Sequence, residues 1–123
     1  MYLKLLLGWI VVILILTWTP GEALPKPDFL NISFIEFSAH FGMFLVFSFL
    51  LSEVIHHQEK FNLSKQKTYF IVLGMALILS LITEGGQLFI PGRSFHILDI
   101  LTNLTGSVVG TFVFFQKIKY FSN

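Results

Sequence analysis

The sequence has 123 residues, of which 54% are hydrophobic and 12% are charged, and its net charge is only +1. A soluble domain carries about 25% charged residues, and a chain this short cannot enclose so much apolar surface in water. The small net charge and the lack of a basic run interleaved with aromatics argue against a nucleic-acid partner, and the absence of cysteine excludes disulfides and zinc–thiolate sites.

Four apolar segments predict an all-α membrane protein, a four-transmembrane-helix bundle that forms a single domain over residues 1–123. Each segment is near the roughly 20 residues needed to cross a bilayer. The predicted spans are residues 3–19, 34–55, 68–90 and 95–115. The first segment has an alternative interpretation as a signal peptide, because Lys4 precedes the apolar run. We favour a retained helix, since the run is long and TWTPGEALP offers no small-x-small cleavage site.

The connectors contain recognisable turn signals. Pro20-Gly21 is expected to end the first helix, and Pro25–Asp28 (PKPD) to keep the next stretch extended. The second connector, HHQEKFNLSKQK, is the most polar part of the chain. In the third, IPGRS, Pro91-Gly92 predicts a tight turn and Ser94 an N-cap, so that the third and fourth spans form a helical hairpin.

The basic residues predict the orientation of the four spans. With four spans, one side carries six basic residues and the other carries Lys26 and Arg93. An excess of Lys and Arg marks the cytoplasmic side, so both termini are predicted to be cytoplasmic. Trp18 then lies at the outer interface, where aromatic residues are enriched. The six residues of the cytoplasmic side are Lys4, Lys60, Lys65, Lys67, Lys117 and Lys119.

Polar residues of three spans are predicted to lie at one depth, just below the outer surface. Ionisable groups inside a membrane usually face the bundle interior or a wet cavity, so we expect an outward-facing polar pocket closed below by Phe, Leu and Ile. Its predicted ligand-binding residues are Glu36, His40, Glu84, Gln87, Arg93, Ser94, Asp99 and Asn103. Three of them, His40, Glu84 and Asp99, are also candidates for acid–base catalysis.

One stripe of the fourth span combines polar and small residues. Asp99, Asn103, Gly106 and Gly110 are separated by 4, 3 and 4 residues, which places them on one helix face. Glycines four residues apart let another helix approach closely. We therefore predict that Gly106 and Gly110 pack against a helix, and that they permit a homo-oligomer through the span-four glycine face.

Several alternatives stay open for these residues. The polar groups could pair with one another and simply fix the helix arrangement. Arg93 could hold an anion at the start of span four, lie at the interface, or pair with Asp99. A zinc or iron site from His40, Glu84 and Asp99 lacks any HExxH or ExxH spacing, so no metal and no cofactor are predicted. Glu53 is expected to reach cytoplasmic water beside the solvated pair His56-His57.

The composite pattern resembles the VanZ-like family of small bacterial membrane proteins, which is named for a teicoplanin-resistance determinant. The resemblance rests on His40 opening HFGMFLVFSFLL, on Glu84-x-x-Gln87 and on Pro91-Gly92-Arg93-Ser94. It continues with Asp99-x-x-x-Asn103-x-x-Gly106-x-x-x-Gly110. The chain departs from the family at Glu36-Phe37, where an Asp-Lys pair is common.

The resemblance implies a multi-pass protein of the bacterial cytoplasmic membrane with a role in the cell envelope and in antibiotic resistance. The leading hypothesis is binding of a polar or anionic lipid headgroup, a lipid-linked precursor or a teicoplanin-type lipoglycopeptide. An enzyme that modifies a lipid-linked substrate is the second hypothesis, although no Ser stands in a recognisable nucleophile motif. The third is a small transporter or channel subunit.

Overall fold

The computed structural model describes residues 1–23, 32–58 and 62–122, with the side chains of residues 32 and 33 left aside. Within these ranges the fold is all-helical, in agreement with the predicted class, and a short 3₁₀ turn follows the first helix. The helices are α1 (Tyr2–Trp18), α2 (Ile32–His57), α3 (Lys65–Gln87) and α4 (Ile97–Phe121). The predicted extended segment Pro25–Asp28 lies outside the described residues.

Local sequence signals explain most of the helix ends. Pro20 cannot continue a helix, and α1 ends two residues before it. The Ser64 hydroxyl caps α3 by accepting a hydrogen bond from the Lys67 backbone N–H at 3.4 Å. Gly92 adopts a φ of 74° in a turn where the Arg93 N–H donates to the Ile90 carbonyl at 3.2 Å. The predicted tight turn at Pro91-Gly92 is therefore confirmed. Glycine suits this position because it adopts a positive φ without steric cost.

The prediction that Ser94 caps α4 was wrong. The N-cap is His96, and the helix begins at Ile97. The hydroxyl of Ser94 instead lies 2.7 Å from Nε2 of His96. The physical reason lies in another helix: the Glu84 carboxylate accepts a hydrogen bond from the His96 backbone N–H at 3.3 Å and so fixes where α4 starts.

Consecutive helices run antiparallel. The two ends of the bundle differ in the side chains that join the helices there. At one end, called the Trp18 end, the Trp18 indole donates to the Thr83 carbonyl near the last turn of α3 at 3.2 Å. At the other, called the Lys117 end, Lys117 contacts Glu53 near the last turn of α2. α4 makes its most extensive contacts with α2, and α1 packs on both α2 and α3.

Within the described ranges, three helices are long and apolar enough to cross a membrane: α2 from Phe34 on, α3 and α4. α1 is apolar but has 17 residues. Many large hydrophobic side chains on all four helices face outward, as lipid-facing surfaces do. The apolar core lies between α1, α2 and α3 and includes Phe44, Phe47 and Val72.

The glycine stripe of α4 packs directly against the backbone of α2. A Cβ atom at Gly106 would overlap the carbonyl oxygen of Phe41, and one at Gly110 would overlap that of Leu45. Small residues permit this approach, which brings the two helix backbones together. This face is therefore covered by α2 within one chain.

Replacing Gly110 should separate α4 from α2. In Gly110→Ala the new methyl group meets the backbone of Leu45 rather than a movable side chain. Overpacking of this kind costs about 1–3 kcal/mol, so we expect a clearly lower Tm for the detergent-solubilised protein. Gly8→Ala is the control, since a Cβ there meets nothing within 4 Å, and its Tm should not fall. Equal Tm values for both variants would contradict this account of the interface.

Candidate functional site

Five polar side chains from the three long helices meet at the Trp18 end and form what we call the polar cluster. α2 contributes one residue, α3 two and α4 two: His40, Ser80, Glu84, Asp99 and Asn103. The stripe that packs α4 on α2 places Asp99 and Asn103 against His40. These contacts therefore agree with the prediction that polar residues of three helices meet at one level of the bundle.

Hydrogen bonds fix the orientation of the His40 ring. His40 Nδ1 lies 3.0 Å from Asn103 Oδ1, and Asn103 Nδ2 donates to Ser80 Oγ at 2.8 Å. An amide oxygen only accepts hydrogen bonds, so Nδ1 is the nitrogen that carries the proton. The other ring nitrogen, Nε2, faces Asp99 Oδ2 at 3.6 Å. One bonded chain thus connects α2, α4 and α3.

The two carboxylates lie at the start of α4. Glu84 Oε2 accepts from the His96 N–H, and Asp99 belongs to the first turn of the helix. Free N–H groups and the helix dipole favour negative charge at this position. Glu84 Oε1 is different: it lies 4.0 Å from His40 Nδ1, and within the described part of the chain no group donates a hydrogen bond to it.

The polar cluster is packed and largely buried, whereas an open pocket was expected. Glu84 and Asn103 are fully buried, and His40 is 5% exposed. The Asp99 side chain retains 21% exposure. Close packing of α4 on α2 fills the space that a pocket would need, so that access from outside the bundle is through the edge occupied by Asp99.

Two of the predicted ligand-binding residues, Gln87 and Arg93, donate hydrogen bonds to the end of α1. The Arg93 guanidinium donates through Nε to the Thr19 carbonyl at 3.0 Å and through Nη2 to the Leu16 carbonyl at 3.2 Å. The Gln87 amide donates to the Thr17 carbonyl at 3.2 Å. These carbonyls belong to the C-terminal end of α1, which lacks intrahelical partners and carries partial negative charge.

The remaining predicted residues lie at the periphery. Glu36 is exposed at the start of α2, and Ser94 is exposed before α4. The sequence reasoning missed Ser80 and His96, which contact the cluster through Asn103 and Glu84. Ser80 lies four residues before Glu84, so helical spacing was a usable signal for it. The role of His96 depends on its backbone N–H, which side-chain patterns do not reveal.

A second polar group lies at the Lys117 end. Glu53 is 1% exposed and forms an ion pair with Lys117, and His57 Nδ1 lies 3.6 Å from its other carboxylate oxygen. The expectation that Glu53 reaches water was therefore wrong, because α4 extends beyond the predicted residue 115 and brings Lys117 over it. His56 and His57 are exposed as expected, but they belong to the last turn of α2 rather than to a loop.

Buried hydroxyl groups line the α2–α4 interface between the two polar groups. They belong to Ser48 and Ser52 on α2 and to Ser107 and Thr111 on α4. Three of these hydroxyls donate to carbonyls four residues earlier in their own helix, at 2.7–2.9 Å. The interior below the polar cluster is thus not closed by Phe, Leu and Ile alone.

An apolar groove runs along the outer surface between α3 and α4. It encloses about 680 Å³, and on α4 it begins at Leu101, two residues after Asp99. Its lining is aliphatic and aromatic apart from Thr105 and Gly74. Asp99 and Leu101 are two residues apart on a helix and so lie on different faces of α4. The groove therefore begins at the level of the polar cluster, on another face of α4, and continues toward the Lys117 end.

A bundle with three helices able to cross a membrane and with buried ionisable residues at one end defines a small multi-pass membrane protein. The VanZ/LLP1 family model matches residues 3–119, so the chain belongs to that family and the resemblance is confirmed. Neither the curated proteins nor the solved structures yielded a match.

The contacts of Arg93 predict a stability defect for Arg93→Ala. Loss of two charge-assisted hydrogen bonds to the end of α1 should cost about 1–3 kcal/mol, measured as a lower Tm in detergent. Ser94→Ala, which changes an exposed neighbour, should leave the Tm unchanged. An Arg93→Ala protein of normal Tm that fails to bind an anionic ligand would contradict this assignment and favour the anion site.

Proposed function

We propose that this chain is a four-span protein of the bacterial cytoplasmic membrane, with both termini in the cytoplasm, that binds the polar head of a membrane amphiphile at the outer leaflet. The single observation that carries the proposal is that buried His40 and Glu84 meet partly buried Asp99 at one end of a lipid-facing bundle. Burying ionisable groups in a membrane is costly, and they usually serve a ligand or a reaction.

The chemistry of the polar cluster restricts the head that it can bind. Asp99 is the exposed edge, and behind it lie Glu84 Oε1 and Nε2 of His40. The two carboxylates offer hydrogen-bond acceptors. Arg93 is hydrogen-bonded to α1. The head must therefore supply hydrogen-bond donors such as hydroxyl or ammonium groups, or a cation must bridge the head and the carboxylates.

The apolar groove supports an amphiphile rather than a freely soluble ligand. An acyl chain lying along Leu101, Leu104 and Val108 would have its head at the level of the polar cluster. From there the head would reach Asp99 around α4, because the groove and Asp99 lie on different faces of that helix. Membrane lipids, lipid-linked envelope precursors and teicoplanin-type lipoglycopeptides share this combination of a donor-rich head with a long hydrocarbon chain. The family resemblance adds the link to teicoplanin.

An enzyme acting on the same amphiphile is the second candidate. It is favoured by a fully buried carboxylate oxygen, Glu84 Oε1, placed 4.0 Å from a His40 ring whose proton position is fixed. A carboxylate and an imidazole in this arrangement are suitable for general acid–base catalysis.

The proposed orientation is testable because the chain contains no cysteine. Glu22 and Gln66 are exposed near opposite ends of the bundle. In intact cells we expect a membrane-impermeant maleimide to label Glu22→Cys and to leave Gln66→Cys unlabelled until the cells are opened. The reverse pattern would place the polar cluster on the cytoplasmic side and overturn the proposed site of action.

Ligand binding should depend on Asp99. Purified protein in nanodiscs made from extracted bacterial lipids should retain a lipid detectable by native mass spectrometry, and Asp99→Asn should lose at least about tenfold of this binding, as expected when a charged contact is removed. Glu22→Gln is the matched control, an exposed carboxylate-to-amide change at the same end of the bundle. Equal lipid retention by Asp99→Asn and wild type would show that the cluster does not bind the head.

The same incubation separates binding from catalysis. A lipid product of altered mass that forms with wild type but not with Glu84→Gln would establish the enzyme. Retention of unaltered lipid by wild type supports the binding protein.

A further inference from the structure

Three hydrogen-bond acceptors face one another in the polar cluster. One ligand atom each from His40, Glu84 and Asp99 lies within 4.8 Å of the other two. Glu84 is fully buried, and among the described residues no donor reaches its Oε1 atom. Buried acceptors that face one another repel unless a proton or a cation lies between them.

The spacing is that of ligands around an ion rather than of a direct hydrogen bond. His40 Nε2 and Asp99 Oδ2 are 3.6 Å apart, beyond the range of about 2.7–3.2 Å for an N–H···O bond. Two ligands that each lie about 2.1 Å from a tetrahedral zinc ion are about 3.4 Å apart. Glu84 Oε1 lies 4.0 Å from the other ring nitrogen, Nδ1, and one ligand atom from each of the three residues lies within 4.8 Å of the other two.

The hydrogen bonds around His40 prepare it as a ligand. Metal-bound histidines almost always donate the other ring N–H to a fixed acceptor, which sets the tautomer and the ring orientation. Here Asn103 Oδ1 is that acceptor, and Ser80 holds the Asn103 amide in place. The His96 N–H similarly holds Glu84 through Oε2 and leaves Oε1 free to bind.

We propose that His40, Glu84 and Asp99 bind a divalent transition-metal ion, with zinc as the best match. One imidazole and two carboxylates are ligands that zinc accepts, and three protein ligands leave a fourth position open. Asp99, whose side chain is 21% exposed, is the ligand nearest the surface of the bundle. No short sequence motif reveals the site, because its three ligands come one each from α2, α3 and α4.

The proposal goes beyond the proposed function and does not depend on it, because metal binding is measured without lipid. Lipid retention by wild type in EDTA, combined with no zinc binding, would remove the metal site and keep the amphiphile site. Zinc binding without lipid retention would keep the metal site and remove the amphiphile site.

The experiment uses full-length protein in detergent with any polyhistidine tag removed. After dialysis against zinc and passage over a chelating resin, metal analysis should find about one zinc per wild-type chain, with a Kd of about 10 µM or tighter. Glu84→Gln and Asp99→Asn should weaken zinc binding at least about tenfold. His57→Gln is the matched control, since it removes a histidine that also lies 3.6 Å from a buried carboxylate oxygen but at the other end of the bundle; it should bind zinc as wild type does.

A measurement on wild type alone decides the proposal even if the variants fail to fold. X-ray absorption of the zinc-loaded protein should show one imidazole together with oxygen ligands. Two or more imidazoles per zinc would assign the metal to other histidines and overturn the proposal. So would the absence of zinc from wild type, or its undiminished binding by folded Glu84→Gln and Asp99→Asn.

Discussion

The close approach of α4 to α2 is the constraint on which the rest of the structure depends. Gly106 and Gly110 let the two backbones touch, and side chains higher on the same stripe then have no freedom to turn away from α2. Asn103 must meet His40, and Asp99 must lie beside its second nitrogen. The lack of a side chain at Gly106 and Gly110 therefore determines where the ionisable groups of the polar cluster lie.

α3 completes this arrangement through an unusual use of a carboxylate. Glu84 contributes to the interior of the polar cluster with one oxygen, and with the other it binds the backbone at the start of the next helix. The connector after α3 makes this possible, since its nine residues return the chain to the end of α3. The same acidic residue thus serves the hairpin and the cluster, which explains how a small bundle accommodates so costly a group.

The sequence predicted the level in the bundle at which each polar residue lies. It predicted only partly which neighbouring helix each side chain faces. Counting along the spans correctly placed His40, Glu84 and Asn103 in one layer, and the regular stripe of α4 defined its inner face. Arg93 and Gln87 were at the expected depth but turn toward α1, because the free carbonyls at its C-terminus attract donors. Such backbone groups leave no trace in residue patterns. The same holds for His96, which acts through its N–H, and for Lys117, which reaches Glu53 because α4 is longer than its apolar run.

The ion pair at the Lys117 end has a mechanical consequence. α2 and α4 are joined there by Glu53 and Lys117, in the middle by glycine contacts, and at the Trp18 end by His40 and Asn103. Helices attached at three levels are expected to shift together. Among the described residues α1 contacts α2 and α3 but not α4, so α1 is the helix whose displacement would leave all three attachments intact.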